Sequence, residues 1–297
     1  MPQNKINMNG LFPEGKDEIR RKLVNVNQLP TISTVFEKII SLVEDERSSA
    51  HDLEKIIKLD QAITARVLKL INSPMYGYSN ISSVSHAITL LGFNTLKNVA
   101  LSASITNVFD WSHTVGEVRV DQFWLHSIGV AYLSKLVAEK TGICKPDEIF
   151  TLGLLHDIGK LMYLNETPEF FQRLLETAKN NKISLNRLER EIGFSHSQLG
   201  WLIAEKWNVP EKVCAVLKKH HNVQEGDQYI AEEAVVNFAD YVVHRIKLGQ
   251  SGNSIPDPPS SLVVDRLSLS PQAWEGIKKN LKDQRRMVEQ LAMELLS

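Results

Sequence analysis

The sequence predicts an all-α protein, an N-terminal helical bundle followed by a C-terminal helical domain. Three observations predict it. Apolar residues recur at steps of three and four through most of the 297 residues, the period of a half-buried helix. Helix starts and stops are marked at Ser33, Asn72-Ser73-Pro74, Gly92, Pro210 and Ser270-Pro271, residue types that cap or interrupt helices for known steric reasons. No segment carries the pattern of a strand.

Residues 1–28 are polar and broken by Gly10, Pro13 and Gly15. They read as a flexible N-terminal arm with a short helix near Asp17–Val24. Pro30 and Ser33 open a helical pattern through Val35, Ile39, Ile40 and Val43. Segments Leu53–Leu59 and Ile63–Ile71 follow, and Pro74 ends the second because proline cannot continue the hydrogen-bond ladder. Ser83–Leu91 is a helix ending at Gly92, a residue suited to the left-handed position after a helix. Asn94–Phe109 is the next. These make an N-terminal helical subdomain over 29–110, and polar Asp110–Asp121 is the expected boundary.

Within 121–247 helices are expected over Gln122–Lys140, Ile149–Leu161, Glu169–Asn180, Leu199–Trp207, Glu211–His221 and Glu232–Lys247. Pro210 stands at a first turn, where its missing N–H does no harm. Residues 248–269, with Pro256, Pro258 and Pro259 among Ser and Gly, read as a linker. Ser270 and Pro271 cap a C-terminal amphipathic helix over 270–297. Its seam of Trp274, Ile277, Leu281, Val288, Leu291 and Leu295 is interrupted by Gln284. Docking onto its own domain accounts for such a seam, and a short homodimer coil is the alternative.

Composition narrows the class. Hydrophobic residues at 43% and charged residues at 23% match a folded globular chain. Lys+Arg number 34 against 35 Asp+Glu, and the net charge of -1 provides no field to gather nucleic acid or an anionic membrane. Cys144 and Cys214 form no C-x-x-C pair, so a reducing compartment is the simpler reading. The N-terminus lacks a secretory pattern, and no apolar run has the length of a membrane span. The expectation is a cytoplasmic protein without a membrane partner.

The chemistry lies in the second half. His156 and Asp157 end an apolar run, Leu154-Leu155-His156-Asp157-Ile158-Gly159-Lys160. An aspartate is rarely buried unless it is paired or metal-bound. His126 and Asp240 also sit on apolar helices, His196 precedes Leu199-Gly200, and His220-His221 end a helix. Each alone has a plain structural explanation: a hydrogen-bonded core histidine, a helix cap, a polar helix end. Together, five histidines and two aspartates are spread one or two per helix over helices that share a core. Metal sites in helical proteins are built this way. Imidazole and carboxylate without thiolate suit iron, manganese, zinc and similar divalent ions. Seven ligands are too many for one tetrahedral ion and suit two, with Asp157 as the bridging carboxylate. His51, His86 and His113 have no acidic partners at ligand spacing, and His244 reads as a solvent-facing residue one turn past Asp240.

At this point the sequence resembles the HD phosphohydrolase superfamily, through His126, His156-Asp157 and Asp240. With His196 and His220-His221 it resembles the two-metal form found in HD-GYP phosphodiesterases. The resemblance implies one metal on His126, His156, Asp157 and Asp240 and a second on Asp157, His196, His220 and His221. It also implies that Asp157 and Lys160 serve catalysis in an enzyme, Lys160 contacting substrate phosphate. The chain departs from HD-GYP enzymes after His221, where Asn222-Val223-Gln224 replaces Gly-Tyr-Pro, and Gln122 stands where some members carry a glutamate.

The first half is similar to the HDOD family. Leu29-Pro30, Asp60 through Val67-Leu68, Asn72-Ser73, Tyr76-Gly77, Ile81, and Ala87-Ile88 through Leu91-Gly92 carry that likeness, with His196 through Gly200, Trp207 and Pro210 continuing it. HDOD domains commonly lack metal ligands and act as regulatory modules, whereas this chain keeps the whole set. Three readings follow. The chain is a bacterial signal-transduction HDOD protein with a dinuclear metal centre and a protein partner in its pathway. Alternatively it is a metal-dependent phosphohydrolase acting on a nucleotide or cyclic nucleotide, or an iron or redox sensor. The cofactor expected is two divalent ions, iron first, manganese or another divalent ion otherwise.

Overall fold

A computed structural model describes residues 8–24, 33–44, 47–73, 76–105, 114–116 and 118–296. The chain is essentially all-α. Leu29-Pro30, Pro74, His113 and the end of the helix expected to reach Phe109 lie outside the described residues.

The N-terminal helices are α1 (Lys16–Val24), α2 (Thr34–Glu44), α3 (Ala50–Lys58), α4 (Gln61–Ile71) and α5 (Val84–Ile105). Ser49 and Asp52 form a reciprocal capping box on α3, and Asp60 caps α4 through the amides of Ala62 and Ile63. The Asn72 side chain clasps the return of the chain: it accepts from the Ile81 N–H and donates to the Ile81 carbonyl, both at 2.8 Å. Gly92 breaks α5 at φ 78°, where the sequence placed the end of one helix and the start of another. The part beyond Gly92 reaches the second half through a 2.7 Å hydrogen bond from Thr95 to Asp147.

Residues 8–24, expected as part of a loose arm, are packed down. Leu11, Ile19 and Leu23 are buried, Phe12 stacks on Phe170 at 5.4 Å, and Arg173 grips both oxygens of Glu14. A two-residue hairpin, β1 (Thr114–Val115) with β2 (Val118–Arg119), occupies the expected boundary.

The second half is built on α6 (Val120–Thr141), buried along most of its length. Around it lie α7 (Pro146–Leu155), α8 (Gly159–Glu166), α9 (Pro168–Asn181), α10 (Leu185–Ile192), α11 (His196–Lys206), α12 (Glu211–Lys219) and α13 (Ile230–Arg245). The sequence predicted one helix through Ile149–Leu161. The chain instead breaks at His156-Asp157-Ile158 and tightens there to three-residue hydrogen bonds, Ile158 to Leu155 and Lys160 to Asp157. Helix α10, capped by Ser184, was not anticipated.

The expected linker over 248–269 contains α14 (Ser261–Leu267), and the expected last helix is two, α15 (Pro271–Asp283) and α16 (Arg285–Leu296), parted at Gln284. Ile277, Leu281, Val288 and Leu291 are buried, α15 and α16 pack on α6, and Tyr132 donates to Asn280 at 2.6 Å. One apolar core runs through both halves and takes in this helix pair.

Gly159 is where α8 meets α11. A Cβ there would lie 1.9 Å from the His196 carbonyl oxygen and 2.5 Å from the Gly200 nitrogen, both backbone atoms. Gly159→Ala is therefore expected to cost about 3 kcal/mol or more in urea unfolding. Gly276, exposed in α15 with nothing within 4 Å of its missing Cβ, is the control. Gly276→Ala should be neutral or stabilise by about 0.5–1 kcal/mol. Equal effects from the two would contradict this packing.

Candidate metal centre

Every one of the seven predicted ligand residues is brought to one place. Helix α6 contributes His126, and the α7–α8 break contributes His156 and Asp157. His196 is the first residue of α11, His220 and His221 follow α12, and Asp240 lies on α13. Among the described residues two groups could each hold a metal ion, His126, His156, Asp157 and Asp240, and Asp157, His196, His220 and His221. Asp157 belongs to both. Its Oδ2 faces His156 Nε2 at 3.4 Å and His126 Nε2 at 3.8 Å. Its Oδ1 faces His196 Nε2 at 3.2 Å and His220 Nε2 at 3.8 Å. Asp240 Oδ1 lies 3.0 Å from His126 Nε2 and 3.4 Å from His156 Nε2.

Three of the imidazoles are aimed by bonds on their far sides. His156 Nδ1 pairs with the Gly153 carbonyl at 2.7 Å, and His220 Nδ1 with the carbonyls of Val216 and Leu217. Glu189 on α10 holds His196 twice, Oε1 on its backbone N–H and Oε2 on Nδ1 at 2.6 Å. Such bonds fix the tautomer that turns Nε2 inward. The Nε2 atoms of His156, His196, His220 and His221, with Asp157 Oδ1, are buried and lack a hydrogen-bond partner. Buried polar atoms are rarely left so, and their convergence fits a bound cation.

Electrostatics agree with that fit. Burial, with His244 beside it, pushes His126 down to about 3. Burial, with His156 and His196 nearby, does the same to His220, to about 3, and burial beside His220 and His196 holds His221 well below the usual range. Burial also opposes charge on His156, but Asp157 and Asp240 outweigh it and lift that imidazole to about 10. Asp157 stays well below the carboxylate range because His156 and Lys160 outweigh its burial. His244 and the neighbouring imidazoles do the same for Asp240. Two buried carboxylates thus stay ionised and draw positive charge to this point.

Lys160 is wholly buried, its amine 2.6 Å from Asp157 Oδ2 and 3.2 Å from Ser251 Oγ. His244 corrects the sequence reading. Its side chain is 4% exposed, its Nε2 lies 3.2 Å from Asp240 Oδ1 and 3.3 Å from Ser251 Oγ, and its ring sits 4.2 Å from that of His126. One turn past Asp240 on a helix buried on that face, it points the same way. His51 and His86 are exposed. Glu189 was missed with its helix, although Ser184 followed by alternating Leu185, Leu188 and Ile192 carries a helix signal.

A polar cavity of about 260 Å³ reaches the centre at His221 and Asp240, and Lys160 is not among its lining residues. No helix among the described residues is long and apolar enough to cross a membrane. Both cysteines are free.

Comparison with known proteins supplies the family. The chain is 25% identical over 224 residues to an uncharacterised protein of Treponema pallidum (strain Nichols), 73% of this chain but 42% of that protein's length. It therefore spans about two fifths of that relative. The crystal structure of an HDOD domain protein of unknown function from Geobacter sulfurreducens is 27% identical, with a TM-score of 0.73 over 94% of this chain and 99% of that one. A Marinobacter aquaeolei VT8 protein, provisionally described as a signal transduction protein, has a TM-score of 0.77 over 99% of this chain and 68% of its own. At 18% identity that likeness is one of fold. The HDOD domain profile matches residues 29–223, about two thirds of the sequence, and so the chain belongs to the HDOD domain family.

Proposed function

We propose that this chain is a bacterial signal-transduction protein of the HDOD family that binds a dinuclear metal centre and acts through a protein partner. One observation carries the reading: unpartnered buried donor atoms converge on both oxygens of a single ionised aspartate. Nitrogen and oxygen donors without thiolate suit iron, with manganese or another divalent ion as the alternative. Asp157 would serve both ions, while Glu189 and His244 orient the histidine and carboxylate on either side of it.

The cavity favours a second reading, a metal-dependent phosphohydrolase acting on a nucleotide or cyclic nucleotide. Two divalent ions, when bound, would polarise a phosphoryl group and lower the pKa of water. The chain's own part is to hold them on His126, His156, Asp157, His196, His220, His221 and Asp240. His156 and Lys160 keep Asp157 ionised, and the cavity lets a ligand approach His221.

Elemental analysis of protein purified without added metal should find about two equivalents of one divalent ion per chain. Asp157→Ala should lose both. No bound metal, and no uptake on reconstitution, would sink the reading. Metal-dependent phosphate release that disappears in folded Asp157→Ala would favour the enzyme over the regulatory module.

Glu189→Gln removes the negative charge behind His196 and keeps its shape. It should weaken metal binding roughly 10- to 100-fold with little change in fold, read by competition with a chelator. Affinity unchanged from the native chain would remove Glu189 from the centre.

The proton on His156 competes with metal. Its imidazole is lifted to about 10, so at neutral pH metal uptake must release that proton. Metal affinity should therefore rise with pH up to about 10 and fall as acid is added. Calorimetric titrations in buffers of different protonation enthalpy read the release directly, and no release would contradict the assignment.

A further inference from the structure

A second cavity, of about 210 Å³, lies between the two halves of the chain, and none of the seven clustered residues lines it. The part of α5 beyond Gly92 forms one wall and α7 another. Pro210 and the first turn of α12 form the third. Asn94, Lys97, Asn98 and Leu101 share the α5 wall, because residues three and four apart are neighbours on a helix.

The charges around this space do not balance. Glu148 is the one acid lining it, and both its oxygens are taken. Oε1 accepts from Lys145 and Oε2 from Lys212, each at 2.9 Å. Lys212 also meets Glu232 at 3.2 Å. Lys97 is left over. Among the described residues its amine has no hydrogen bond or ion pair and rests over the Phe93 ring, 5.3 Å from the centroid. Burial pushes that amine below its ordinary value, with Glu148 opposing. A half-buried ammonium without a counter-charge gains from any anion that reaches it.

The groups beside Lys97 are open to the cavity. Asn94 is exposed and Asn98 half-buried, and neither side-chain amide has a partner among the described residues. No side chain caps α12, so its first-turn amides add to the positive field. Leu101, Pro210 and Val213 supply apolar surface. One uncompensated positive charge beside apolar surface suits one negative charge on an apolar body. The space is smaller than the roughly 300 Å³ at which pockets for drug-sized ligands begin, so that body is short.

We propose that this cavity binds a small aliphatic monocarboxylate. Its carboxylate meets Lys97, with the amides of Asn94 and Asn98 donating beside it. Its chain lies against Leu101, Pro210 and Val213. Bound there, it bridges α5 of the first half to α12 of the second, the helix that leads to His220. The site does not depend on metal at the histidine–aspartate cluster.

The test is calorimetry on the full chain at fixed ionic strength, with thermal melts of every sample. The probes are acetate, butyrate, uncharged butyramide and inorganic phosphate. Butyrate should bind about ten-fold tighter than acetate, because two more methylenes leave water. It should bind at least about five-fold tighter than butyramide, which lacks the charge, and than phosphate, which lacks the chain. Lys97→Met removes the charge, keeps the apolar stem, and should weaken butyrate about ten-fold. Asn98→Asp adds a negative charge to the same wall at nearly the same shape and should weaken butyrate at least about ten-fold. Lys278→Met, an equal loss of charge on α15 outside the cavity, should leave affinity within about two-fold. Should one cavity variant melt early, the other decides. Butyrate binding no tighter than acetate, butyramide or phosphate would overturn the proposal. Equal binding to the native chain and the folded cavity variants, or no binding by about 10 mM, would do the same.

Discussion

The structure depends on the burial of two ionised carboxylates. Asp157 and Asp240 lie at 0% and 3% exposure, in the part of the core where an isolated charge is least tolerated. Such groups survive only if surrounding groups supply positive charge and hydrogen bonds. Here that supply comes from histidines on separate helices and from Lys160. The helices of the second half must therefore meet at Asp157, and their packing angles are subordinate to that meeting.

This constraint explains the local irregularities. His156 and Asp157 are neighbours on the tightened turn between α7 and α8, and both reach the centre, with Asp157 Oδ2 lying 3.4 Å from His156 Nε2. Gly159 follows at once because α8 must then touch the backbone of α11, which brings His196 to within reach of Asp157 Oδ1. Two helices start or end at the centre, α11 at His196 and α12 before His220, while His126 and Asp240 come from within α6 and α13. Ends are where a side chain can be aimed without disturbing a ladder of backbone bonds.

Much of this was legible in the sequence, and what was not has physical causes. The seven clustered positions could be read because polar titratable residues on apolar helices are anomalous wherever they fall. Gly92 was legible as a break because only a residue without a Cβ takes φ 78° without strain. The α7–α8 break left no such mark, since His156 and Ile158 adopt ordinary helical angles. Glu189 and His244 were invisible for a related reason. A glutamate among Arg187, Arg190 and Glu191, or a histidine beside an arginine, looks like a solvated face, and only the fold shows that face turned inward. The segment over 248–269 read as a linker because its Pro, Ser and Gly content suits one. The same composition also suits a segment pressed against backbone, where Gly249 and the small Ser251 fit beside α6.

Family membership and the histidine–aspartate cluster are separable facts. The HDOD match covers residues 29–223, yet Asp240, His244 and Ser251 all lie beyond it. Without Asp240 the first ligand group loses its second carboxylate, and His126 loses its closest anionic neighbour, at 3.0 Å. A chain could keep every HDOD feature and still hold no complete centre. Here the missing parts are supplied by α13 and the segment that follows it, and that segment is clamped to α6 through Gln250 and Gln122. The clamp ties Ser251 to Lys160 and His244 in one stroke. Loosening it would remove the Ser251 bonds to Lys160 and His244 and leave Lys160 on Asp157 and His244 on Asp240 alone. The HDOD fold is thus joined to a charge-dense centre by a short piece of irregular chain, residues 249–251, whose backbone and Ser251 side chain bond to α6, Lys160 and His244.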